Sequence, residues 1–138
     1  MKTTSYKISK QLAEVGFNKY KIPATEYCWH HDNFGSTRFL VGAELEDKTT
    51  QTLVSEYKIY PAYDLETLLE ALPKQHDFFS RGVGKYELRI WYHENKMFIG
   101  YQNFDGFDKL LTFEQEENES LADCAAKLWL KLKKEGLV

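Results

Sequence analysis

Only two of the 138 residues are cysteine, Cys28 and Cys124. Two thiols make neither a disulfide framework nor a four-ligand zinc site, and left unpaired they fit a reducing cytosol. A chain near ~150 residues buries roughly 68–70% of the surface its unfolded form exposes, so an apolar core can hold it without covalent staples. Arginine is scarce as well: Arg38, Arg81 and Arg89 are three of 18 basic residues, set against 21 acidic ones for a net charge of −3. Bidentate reading of phosphates and guanines draws on arginine, so generic nucleic-acid binding is not expected. Proline occurs three times and far apart, at Pro23, Pro61 and Pro73, and no repeat or Pro/Gly/Ser-rich linker interrupts the chain. A single α+β domain over 1–138 is the expectation. The start MKTTSYKISK carries no apolar segment. No window approaches ~18 consecutive apolar residues, so neither secretion nor membrane insertion is indicated. What the chain has in excess is aromatic rings, nine Tyr, nine Phe and three Trp.

Three helices are legible. Ser9 is placed to cap a short one through Val15, ended by Gly16. Asp64 caps a second, in which Leu65, Leu68, Leu69 and Leu72 recur at helical spacing until Pro73 forbids continuation. Ser120, with Asp123 three residues on, opens the third, which carries the stripe Leu121, Cys124, Ala125, Leu128 and Leu132 and ends at Gly136. Strand signals fill the rest. The stretch from Thr25 to Leu45 is broken by Asp32-Asn33-Phe34-Gly35 and reads as two strands, and a third through Leu53, Tyr57 and Ile59 is expected to stop at Pro61. Lys74 to Gly84 reads as a loosely ordered segment. From Lys85 to Asn103, Tyr86, Leu88, Ile90 and Tyr92 alternate with Glu87, Arg89, Trp91 and His93, which predicts a hairpin turning near Glu94-Asn95-Lys96. A second turn at Asn103-Phe104-Asp105-Gly106 leads to a last strand over Lys109 to Phe113. Tight turns between successive strands favour antiparallel pairing. The expected architecture is α+β, with an antiparallel sheet of about five to six strands and three helices mainly on one face.

Residues able to carry chemistry are few. Cys28 and His30 share one side of an extended strand, but His76, His93 and Cys124 are isolated, so the ligand count stops at two and no metal or other cofactor is expected. No serine sits in a nucleophile-elbow context, and Cys124 lies on the inward stripe of its helix, where thiols are inert, so no catalytic residue is assigned. Lys127, Lys131 and Lys134 make a row that suits a solvated helix end as well as a phosphate site. The hairpin is more informative. Arg89, Trp91 and His93 project together from one strand, and Phe98 and Gln102 share that face from the next. Rings beside a guanidinium and an imidazole are what a site for a nucleobase or other planar anion uses. Large aromatics also serve as core, so cover by a helix is the competing reading.

Three segments, SKQLAEVGFN, PAYDLETLLEALPK and NESLADCAAKLWLKLKKEGLV, together resemble a loose group of small proteins encoded by bacteriophages and mobile elements of bacteria. The resemblance lies in the spacing of helix signatures over most of the chain, and it implies a small accessory protein working in the bacterial host cytosol. In that setting the expected function is non-enzymatic binding, with an anti-defence role in view. A nucleotide-like small molecule would be sequestered by Arg89, Trp91, His93 and Phe98, with Trp29 and Arg38 contributing and a homodimer interface as one way to complete the pocket. Arg38 or Arg81 would contact phosphate. An exposed aromatic patch that binds a host protein is the alternative. An enzyme with His30 or His93 as general base is a third reading.

Overall fold

The computed structural model of the protein describes residues 3–17, 27–31, 37–41, 58–76, 86–103 and 109–138. The chain divides into two compact units, one holding Thr3–Tyr63 and the other Asp64–Val138. In the first, helix α1 (Tyr6–Glu14) is capped by Ser5, whose hydroxyl accepts from the Ile8 amide at 3.4 Å. The expected cap, Ser9, lies inside the helix instead. It is fully buried, and its Oγ is 2.7 Å from Thr4 Oγ1. Thr4 Oγ1 in turn accepts from the Tyr63 amide at 3.0 Å. A buried polar group needs a partner, and this pair supplies one to each hydroxyl. Ile8 and Leu12 face inward, Gly16 takes φ 75° to end the helix, and α1 packs against strand β3 (Lys58–Ala62). Edge-to-face rings, Tyr6 on Tyr60 and Phe17 on Tyr63, fill this core at centroid distances of 5.7 and 4.8 Å.

Strands β1 (Tyr27–His31) and β2 (Thr37–Val41) form the two-strand pattern read from the sequence, and β3 joins them in an antiparallel sheet of order β2-β1-β3. Pro61 does not stop β3. It sits within the strand opposite Cys28, which an edge strand tolerates because one ladder donor can be missing there.

The second unit is an antiparallel sheet of order β4-β5-β6-β7, from β4 (Gln75–His76), β5 (Tyr86–His93), β6 (Lys96–Asn103) and β7 (Lys109–Glu114). Helices α2 (Leu65–Ala71) and α3 (Leu121–Lys134) complete it. Asp64 caps α2 by accepting from the Thr67 amide at 2.8 Å, and Ser120 caps α3 by accepting from the Asp123 amide at 3.0 Å, both as read. Part of the segment read as loosely ordered is β4, which pairs with the start of β5, while 77–85 and the second turn at 104–108 lie outside the described residues. The protein is thus α+β, antiparallel, with three helices among the described residues. Among the described residues the strands fall into a sheet of three and a sheet of four, not one sheet of five to six. Alternation along a strand reports its faces, but nothing in it says which sheet the strand joins.

The Ile99 face of the four-stranded sheet carries the helices. Helix α3 packs against β6 and β7, and α2 packs against α3. Ile99 and Tyr101 have no exposure, and the Tyr101 hydroxyl donates to the Pro73 carbonyl just past α2 at 2.7 Å. Cys124, Ala125, Leu128 and Leu132 of α3 are equally sealed.

Candidate functional site

A two-residue turn at Glu94-Asn95 sets the hairpin register. Both residues take positive φ, 50° and 64°, as a type I′ turn requires. The register that follows puts Trp91 opposite Phe98, Arg89 opposite Gly100, Glu87 opposite Gln102 and His93 opposite Lys96. Arg89, Trp91, His93, Phe98 and Gln102 therefore share one face, as the alternation predicts, and it is the face opposite Ile99 and Tyr101. Trp91 and Phe98 stack with centroids 5.6 Å apart and planes 9° from parallel, and both are half-buried. The cover by α2 and α3 thus falls on the other side of the sheet.

Polar groups extend the face toward β4. Arg89 Nη2 lies 3.0 Å from Glu87 Oε2, Arg89 Nη1 is 3.5 Å from Gln102 Oε1, and Gln75 Nε2 is 3.5 Å from Glu87 Oε1. The Arg89 charge is therefore matched by Glu87, which the alternation places on the same face two residues earlier but which lies outside the candidate set. At the turn end, His93 is 69% exposed, with Glu94 Oε1 3.6 Å from its Nε2. Lys96, also at that end, pairs with Glu114 at 2.8 Å, and this bond raises its pKa. The arrangement offers ring faces at its centre, with amide and carboxylate acceptors and donors beside them.

Trp29 and Arg38 belong to the three-stranded sheet of the other unit. Trp29 pairs with Phe39 and Arg38 with His30, so the two occupy adjacent rungs. The side chains of Trp29, His30 and Arg38, and Arg81 altogether, lie outside the described residues. The lysine row on α3 is engaged in part: Lys127 bonds Glu119, and Lys131 lies 3.0 Å from Glu135. Cys124 donates its thiol to Glu119 at 2.9 Å, and burial first, then this bond, pushes the thiol pKa far up, which leaves it un-ionised and inert. No helix among the described residues is long and apolar enough to cross a membrane. No family model, curated protein or solved structure matches the chain.

Proposed function

We propose that the protein is a non-enzymatic binding protein that holds a planar, nucleotide-type molecule on the Trp91 face of its four-stranded sheet. The observation that carries this reading is the half-buried Trp91–Phe98 stack on the face opposite the helices, bordered by Arg89, Glu87 and Gln102. Stacking of a base on an aromatic side chain contributes about 1–3 kcal/mol and accepts any base. Glu87 presents a part-exposed carboxylate to a base edge, while Gln102 is buried and accepts from Arg89. Because Glu87 already matches the Arg89 charge, the ring rather than the phosphate anchors the ligand. The resemblance to phage and mobile-element proteins supports an accessory role in a bacterial cytosol, in which sequestering such a molecule blunts a host defence.

A thermal-shift screen with nucleosides and their phosphates tests the reading. A ligand at 100 times its dissociation constant adds about 2.7 kcal/mol. Nucleosides and nucleotides are expected to shift the transition alike, Trp91→Ala to abolish the shift, and the ligand to be recovered intact. Turnover of the ligand at substoichiometric protein, or a shift that survives Trp91→Ala, overturns the proposal.

A further inference from the structure

The outer edge of β5 is covered over only part of its length. At its start, β4 pairs Gln75 with Glu87 and His76 with Tyr86, and the Leu88 amide donates to the Lys74 carbonyl at 2.9 Å. From Arg89 to His93, β5 pairs among the described residues with β6 alone. In an antiparallel ladder, successive residues turn their N–H and C=O alternately to one neighbour and the other. Leu88 turns outward, so Ile90 and Tyr92 do too. The same two residues are the exposed large apolar side chains of the strand, 37% and 62% accessible, and they share one sheet face. Among the described residues, outward backbone groups without a partner and exposed apolar side chains therefore coincide at Ile90 and Tyr92, on either side of Trp91.

We infer that this edge pairs antiparallel with the same segment of a second copy of the chain, about a two-fold axis at Trp91. That register sets Ile90 opposite Tyr92 of the second copy and Tyr92 opposite Ile90. Both are bonded rungs, so four backbone hydrogen bonds form and each free donor and acceptor of the two residues is used once. Shifting the register by two residues to centre on Ile90 would oppose Tyr92 to Leu88, whose amide is already taken by Lys74. The edge is self-complementary at one register. An isologous two-fold contact has this property, and an unrelated extended peptide need not. Exposed apolar edges are otherwise blunted by charge, proline or a covering element, and among the described residues none of these stands at Ile90 or Tyr92. The pairing joins two sheets into one and sets the two Trp91 side chains against each other at the axis, so each copy contributes a ring to a shared face.

Sedimentation equilibrium of the full chain without ligand tests the pairing, and failure there leaves the ligand reading standing. A reversible, concentration-dependent species of twice the 16.2 kDa chain mass is expected. Tyr92→Lys places an ammonium against Ile90 of the second copy and should weaken association at least tenfold while far-UV circular dichroism stays that of the folded chain. Residues opposed in a non-bonded rung sit ~4.5 Å apart at Cα, within disulfide reach, so Trp91→Cys should give an oxidised dimer that the unsubstituted chain does not. Tyr92→Cys should not. A chain monomeric at every concentration, a dimer indifferent to Tyr92→Lys, or cross-linking through Tyr92→Cys in place of Trp91→Cys overturns the inference.

Discussion

At Gly100 the absence of a side chain lets two strands approach. Ile99 pairs with Phe113 and Tyr101 with Leu110, so the residue between them faces both Leu111 and Thr112 in a bulge where Leu111 takes φ 51°. A Cβ on Gly100 would lie 2.9 Å from Thr112 Cα and 3.0 Å from the Leu111 oxygen, both backbone. Gly100→Ala should cost about 1–3 kcal/mol, read as a lower denaturation midpoint. Its neighbour Tyr101 governs the alkaline side. Burial lifts its phenol well above the ordinary value, and burial lifts Tyr63 to about 12. The folded protein keeps these protons longer than the unfolded chain does. Their stabilisation is thus complete below about pH 10 and falls as pH rises toward 12. Urea midpoints from pH 8 upward should show that decline. Tyr101→Phe should make it shallower while costing about 1 kcal/mol at neutral pH through the lost bond to Pro73. At the proposed site, Glu87→Gln uncovers the Arg89 charge and should raise the affinity for a nucleotide over its nucleoside, a ratio that calorimetric titration reads directly.

The start of α3 shows how a cap can be legible while its reinforcement is not. Ser120 three residues before Asp123 is a local signature, and the expected bond is there. Ser120→Ala should cost about 1 kcal/mol. Glu119 gave no signal, because its partners Cys124 and Lys127 stand five and eight residues on and meet it only once the helix has formed. Burial alone would raise the Glu119 pKa. The Cys124 thiol, the Lys127 ammonium and the Glu116 amide all donate to it, and together they hold the pKa below the ordinary carboxylate value. That stabilisation is present above the unfolded pKa and is lost as pH falls through the folded one. Glu119→Gln should therefore flatten the acid limb of the stability profile and cost about 1–3 kcal/mol at pH 7, measured by urea unfolding. The first helix shows the converse. Ser9 carried a plausible cap signature, but its hydroxyl is taken by Thr4, a contact no local pattern announces.

For the whole molecule, period and caps were enough to place the hairpin, the leucine helix, the closing helix and the shared face of Arg89, Trp91 and Phe98. They did not place the strands into sheets, since that depends on pairing between distant segments. Nor does alternation report how far a face is covered. Tyr92 shares the Ile99 face, yet it stands exposed, as Ile90 does in part. The two-residue turn at Glu94-Asn95 ties these facts together. It acts as a reading frame for everything downstream in the sheet: one residue inserted after Asn95 would slide β6 by one position against β5. Phe98 would then pass to the helix side, Ile99 to water, and Trp91 would lose its ring partner. Such an insertion changes no side chain of the face, yet it should abolish the site and the core in a single step.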